Sequence, residues 1–265
     1  MNGNGRKLAG VTLVLAAVAL ATGVPAFEAS VKTLDSRPGV AESFLLVQPD
    51  SPPVASVILL SGGEGVVSLN RYGPSWKHGN FLVRARDLFA EEALLVAVLD
   101  VPSDRSSGYG SFRVSKEHAR DVAAVIAALK ALAPVPVWLV GTSKGTVSAA
   151  FVAGRLWQGG PDGIVLTSSI TDRSRETADT VLDADLDEIR VPVLIVHHKQ
   201  DRCVVTRYNT ARLLPGQLKK APRKEFMGFE GGLSVGDPCE SFAYHGYNGI
   251  EREVVHAIAV WIKAR

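Results

Sequence analysis

Short apolar runs rich in β-branched residues recur along the chain at Ser56–Leu60, Leu94–Leu99, Val135–Val140, Ile164–Thr167 and Val191–Val196, and segments of helical character separate them. Continuous apolar runs of this length are what strands buried on both faces look like. Their alternation with helices implies parallel pairing through crossover connections. Two extended segments, Val31–Arg37 and Val40–Pro49, flank Arg37-Pro38-Gly39, where proline followed by glycine suits a type II turn, so the domain is expected to open with a hairpin. Apolar residues at helical spacing predict helices over Ser115–Leu132 (Val122, Ile126, Leu129) and Gly249–Lys263 (Ile250, Val254, Ile258, Trp261). A further helix is expected over Phe81–Glu92, and a last strand near Lys224–Phe229. The prediction is one α/β domain with a mostly parallel central sheet flanked by helices.

The first residues have a different pattern. Arg6 and Lys7 precede an apolar run from Leu8 to Val24, and Val24-Pro25-Ala26 places small residues where a signal peptidase cuts. Residues 1–26 therefore read as a signal peptide and residues 27–265 as the domain, secreted or periplasmic. The competing reading is a membrane anchor, but spanning takes about 20 apolar residues, and Thr12, Thr22 and Gly23 dilute a run that is somewhat shorter. The remaining length suits one large α/β core and no second domain.

Charge narrows the partners. The 29 Lys and Arg nearly balance the 27 Asp and Glu, and two of the basic residues lie in the leader. No basic stripe or stacking-aromatic pattern marks a nucleic-acid partner. The two cysteines, Cys203 and Cys239, both fall in the exported part, where an oxidising compartment favours a disulfide over two buried thiols; they make only a weak metal site.

The candidate chemistry begins at Gly141-Thr142-Ser143-Lys144-Gly145, which fits the G-x-S-x-G elbow, a strained turn that lifts a serine hydroxyl above a sheet. A second match, Gly232-Leu233-Ser234-Val235-Gly236, tests how much the motif means. Context separates them, because the elbow requires a strand before it and a helix after it. Ser143 has Val135–Val140 before it and Thr146–Leu156 after it, whereas Ser234 runs into Gly236, Asp237 and Pro238 and reads as loop.

A serine hydroxyl is a poor nucleophile until an imidazole accepts its proton, and a carboxylate on the far ring nitrogen orients that imidazole. In an elbow of this type the order along the chain is serine, acid, histidine. Asp201, just past Val191–Val196, and His245, between the last strand and the last helix, satisfy that order, with Asp185 or Asp187 as fallback acids. His78 and His118 precede Ser143. His256 falls within the last helix, and His197 and His198 belong to the strand end that carries Asp201. The tetrahedral intermediate also needs backbone donors. Lys144 follows the serine, and Leu60-Ser61-Gly62-Gly63-Glu64-Gly65 is the loop expected to supply the other, at Gly63 or next at Glu64. A dinucleotide-binding G-x-G-x-x-G loop does not match this spacing.

Together these motifs, in this order, make nearly all of the chain after the leader resemble the α/β-hydrolase superfamily, in particular its small secreted or periplasmic esterase-like members. The chain departs from the commonest pattern in having Ser61 where many members carry a histidine. The resemblance implies a serine hydrolase acting on a small-molecule ester without metal or organic cofactor. The same triad could serve a peptidase or thioesterase, and a non-catalytic binding protein on the same scaffold is the alternative from another class. Thr167–Val191, where many such proteins insert a cap, is short and rich in Asp, Arg, Ser and Glu, so no large cap domain is expected. Trp76, Tyr109, Phe112 and Tyr244 are candidates to line an acyl pocket, and the loop Ser103–Arg113 could deepen it.

Overall fold

The computed structural model describes Met1, residues 27–70, 73–75 and 79–264. The predicted leader, apart from Met1, lies outside the described residues, as do Trp76 and His78. No helix among the described residues is long and apolar enough to cross a membrane.

The domain opens with β1 (Ala29–Arg37) and β2 (Val40–Val47), an antiparallel hairpin whose turn places Gly39 at φ 72°, a backbone conformation that glycine adopts without penalty. β3 (Ala55–Leu60) follows, then a two-residue pair, β4 (Leu69–Asn70) with β5 (Gly73–Pro74). Next come the short helices α1 (Phe81–Arg84) and α2 (Arg86–Glu91), β6 (Leu94–Leu99) and α3 (Lys116–Leu132). The second half alternates β7 (Val137–Thr142), α4 (Lys144–Arg155), β8 (Gly163–Thr167), β9 (Val193–His198), α5 (Tyr208–Ala211), β10 (Lys224–Phe229) and α6 (Glu251–Lys263).

Eight strands form one sheet in the order β1-β2-β6-β3-β7-β8-β9-β10. The six from β6 to β10 are parallel, and β2 joins them antiparallel through β6. The pleat sorts alternate residues onto two cores. Ile58 and Leu60 of β3 pack with α3 and α4, while Val57 and Leu59 pack with α1, α2 and α6. Because the six strands run one way, the loops leaving their carboxyl ends gather at one edge, where ligands of open α/β sheets bind.

Several boundaries differ from expectation. β7 and β9 each start two residues later than their apolar runs, because Pro136 and Pro192 have no N–H to give; only their carbonyls take part, accepting from Ser56 and Ile164. Both strands then run further, so that β7 leads directly into the elbow. The helix predicted over Phe81–Glu92 breaks at Ala85, where ψ flattens to 3°, and the two short helices bury Phe81, Leu82 and Val83, and Phe89 and Ala90, in the same core. α4 begins at Lys144 rather than Thr146, immediately after the serine. Between β8 and β9 only two short 3-10 turns, Val181–Asp183 and Leu186–Glu188, cover the sheet edge, so no cap domain is present in this segment.

Candidate active site

Ser143 is the first residue past β7 and has φ 52°, ψ −127°, a strained conformation for any side chain but glycine. Its two flanking glycines explain how the strain is held. A Cβ at Gly145 would lie 2.0 Å from the Leu60 carbonyl oxygen, and one at Gly141 would lie 2.4 Å from that of Gly145, so either side chain would force β3, β7 and α4 apart. The Ser143 N–H donates to Thr167 of β8 at 3.0 Å, which ties the turn to the neighbouring strand.

Asp201 and His245, 44 residues apart, meet at this edge. His245 Nδ1 lies 3.0 Å from Asp201 Oδ2, and both side chains are buried. The carboxylate also accepts the Cys203 N–H and the Thr206 hydroxyl, each at 2.9 Å. Thr206 Oγ1 in turn sits 3.2 Å from His245 Nδ1. Burial pushes the Asp201 carboxyl up, but the hydrogen bond and charge of His245 and the Cys203 N–H outweigh it and hold the group below the usual carboxylate range. An ionised Asp201 fixes the imidazole with Nδ1 as donor, which leaves Nε2 free to accept a proton.

The loop that carries His245 is anchored independently of Asp201. Ser168 Oγ donates to the His245 carbonyl at 2.8 Å, and the buried Tyr247 hydroxyl donates to Val196 at 2.9 Å while receiving the Ser168 N–H. Tyr247 itself has φ 56°, ending the turn that presents His245. Cys203 and Cys239 form a disulfide that joins the loop after Asp201 to the loop before His245.

Ser143 and His245 line one cavity of about 580 Å³, together with Gly62, Gly63, Glu64, Lys144 and Asn80. The glycine loop is braced from behind by Arg113, whose buried guanidinium donates to the carbonyls of Ser61 and Gly63 and to Ser148 Oγ. Desolvation lowers the Arg113 pKa to about 10, so it stays charged at neutral pH. Glu64 and Lys144, which both line the cavity, are joined by an ion pair of 2.7 Å, and the Lys144 partner lowers the Glu64 pKa.

The other expected residues lie elsewhere. Tyr109, Phe112 and Tyr244 do not line this cavity: Tyr109 is buried against His118 with its hydroxyl on the Asp100 carbonyl, Phe112 lies beneath Arg37 and Arg105, and Tyr244 stacks on His198. These rings are claimed by packing and by guanidinium groups, and among the described residues Phe81 is the Phe, Tyr or Trp that lines the cavity. The loop Ser103–Arg113 forms a separate hollow with Glu64. Ser234 is exposed beside Gln200 and Pro238, Asp185 and Asp187 are exposed, and His256 pairs with Glu92 on the outside of α6. His198 is held between Gly231 and the Gln200 N–H, and burial lowers the pKa of His197 to about 4. Among the described residues no cluster of three or more His, Cys, Asp or Glu could hold a metal.

Sequence reasoning missed Thr206, Ser168, Tyr247 and Arg113. Nothing local marks Ser168, Tyr247 or Arg113, whose partners lie up to 79 residues away, whereas Thr206 stands five residues past Asp201, a local signal that the reading of the acid loop passed over.

No family model matches the chain, and no curated protein matches it in sequence. Solved structures do match in shape. An esterase of Pyrococcus furiosus superposes with a TM-score of 0.63 at 15% identity, covering 89% of this chain and 92% of that one. A serine hydrolase of Xanthomonas campestris described as lacking a lid gives 0.58 at 16%, covering 92% and 100%. An α/β serine hydrolase homologue from Coxiella burnetii gives 0.59 at 15%, covering 88% and 96%. At these identities the likeness concerns the path of the backbone, and it agrees with the strand order and the turn at Ser143 in placing the chain within the α/β-hydrolase fold.

Proposed function

We propose that this protein is a secreted serine hydrolase that cleaves small carboxylic esters through an acyl-enzyme. The observation that carries the reading is the buried Asp201–His245 pair opening into the same cavity as a serine held at φ 52°. In this mechanism Ser143 Oγ attacks the ester carbonyl as His245 Nε2 takes its proton. The imidazolium is stabilised by Asp201, and the proton passes to the departing alcohol. Water then repeats the sequence against the acyl-enzyme and releases the acid. The backbone N–H of Lys144 and that of Gly63, or next Glu64, receive the oxyanion. The esterase and serine hydrolase descriptions of the structural neighbours support this chemistry, and the disulfide accords with export of the chain after removal of residues 1–26.

The lining supports a short, soluble substrate. Ser174, Glu176, Asp237, Glu240 and Ser241 share the wall with Ile170, Val204 and Val205, so a long acyl chain would find little continuous apolar surface. Each methylene left in water forgoes about 0.8 kcal/mol. A series of p-nitrophenyl esters from acetyl to palmitoyl tests this. The expected result is highest kcat/KM for the short esters, with no activation at an oil interface; kcat/KM rising steadily to palmitoyl would overturn it. In the same assay S143A should lose about 10⁴-fold or more and S234A almost nothing. Full turnover by S143A would leave a different serine, or a non-catalytic binding role, as the reading.

A further inference from the structure

Asn80 stands at the start of α1, on the cavity wall that carries Gly62 and Ser143. It is only 9% exposed and lines the cavity. Its Oδ1 accepts the Leu82 N–H at 3.2 Å, capping the short helix. That bond decides which way the carboxamide is turned: the oxygen faces the helix, so the NH₂ group faces the other way. Among the described residues Nδ2 has no acceptor, although the side chain is almost withdrawn from water. A Cβ placed on Gly62 would lie 3.0 Å from Ser143 Cβ and 3.5 Å from Asn80 Nδ2, so the serine and the amide flank one point of the glycine loop. A methyl group there would crowd Ser143 Cβ at 3.0 Å and the Thr142 carbonyl oxygen at 3.2 Å, while meeting Asn80 only in ordinary contact.

An amide that lines the cavity without a protein acceptor can donate to an acceptor that arrives there. Beside an attacking serine, the strongest acceptor that forms is the oxygen of the tetrahedral intermediate. We propose that Asn80 Nδ2 is a side-chain donor of the oxyanion hole, supplementing the backbone N–H groups of Lys144 and Gly63; the inference rests on the acyl-enzyme reading above. As Ser143 Oγ bonds to the carbonyl carbon, the carbonyl π pair moves onto oxygen and the serine proton goes to His245. Asn80 shares a hydrogen with that oxygen and transfers none. When the pair returns to re-form the carbonyl, the bond to the alcohol oxygen breaks and that oxygen takes the proton from His245.

The test uses N80S and N80D, which both keep an oxygen able to cap α1 and remove the amide donor. With p-nitrophenyl acetate, kcat should fall about 10²- to 10³-fold in both variants, with KM changed less than about threefold. A boronic acid that forms a tetrahedral adduct on Ser143 should bind more weakly by a similar factor, while the affinity for the acetate product stays the same. A purely structural capping role would instead lower the melting temperature and leave this split absent. Wild-type kcat and boronate affinity in either folded variant would overturn the proposal, and N80S decides alone where N80D does not fold. The two readings fail separately: a dead S143A beside a fully active N80S removes only the Asn80 role, whereas an active S143A removes the acyl-enzyme reading itself.

Discussion

The Cys203–Cys239 disulfide closes a loop with a sequence separation of 36 that begins just past Asp201 and ends just before His245. In the chain-entropy model a loop of this length stabilises the fold by roughly 4 kcal/mol, because the reduced unfolded chain has more conformations to lose. For a domain of this size each kcal/mol moves the melting temperature by about 2 to 4 °C, so reduction, or the C203A/C239A pair, should lower it by roughly 8 to 15 °C. Activity at 25 °C should fall less than about tenfold, since catalysis depends on groups held by other bonds. Ser168 still holds the His245 carbonyl, Tyr247 still holds Val196, and the Cys203 N–H still reaches Asp201. Calorimetry with and without reductant, paired with ester turnover, measures both quantities. Non-reducing mass spectrometry of exported protein should show the two peptides linked. A melting temperature that moves less than about 2 °C on reduction would refute the assignment of stability to this link.

Two further perturbations probe the supports of the site and the fold. T206V removes a hydroxyl that donates to the buried Asp201 carboxylate; a hydrogen bond to a charged group is worth about 1.5 to 3 kcal/mol, so kcat/KM should fall roughly 10- to 100-fold and T206S should restore most of it. Failure of serine to rescue would show that the methyl group, not the hydroxyl, matters. Glu42 is buried in β2, and burial first, then the charges of Asp121 and Asp100, raise its pKa from 4.5 to about 9. Between those values the unfolded chain releases this proton and the folded chain keeps it, so its contribution is intact below pH 4.5 and is lost as pH rises toward 9. E42Q should therefore gain stability over the wild type as pH rises, by up to about 3 kcal/mol at pH 7, with the gap closing near pH 4. Denaturation midpoints at several pH values check this, and a gap that does not vary with pH would contradict it.

The order of the main strands and helices was legible because the central strands β3, β6, β7, β8 and β9 each carry an apolar run and the long helices α3 and α6 their own periodicity, whereas the two-residue strands β4 and β5 carry neither. Leu94–Leu99 and Lys224–Phe229 match β6 and β10 residue for residue. Boundaries shifted where a backbone donor was missing, as at Pro136 and Pro192. The three residues proposed for chemistry were found through motif, position and order, all properties of the chain. Most of their supports were not legible, because Ser168, Tyr247 and Arg113 act through pairings that exist only once the sheet has assembled; Thr206, five residues from Asp201, is the local exception. The aromatic residues illustrate the converse. Tyr109 and Phe112 carry no local sign of whether they face a cavity or a guanidinium group, and the fold placed them against His118, Arg37 and Arg105.

The central claim is that Ser143 is a nucleophile activated by His245 and Asp201. The most direct measurement is to treat the purified protein with a fluorophosphonate and locate the adduct by peptide mapping. The account predicts a single phosphonylated residue, Ser143, formed at a rate that falls by orders of magnitude in H245A and that is blocked by prior incubation with a competing short ester. An adduct on Ser234 or on another serine, or no adduct on folded protein, would contradict it.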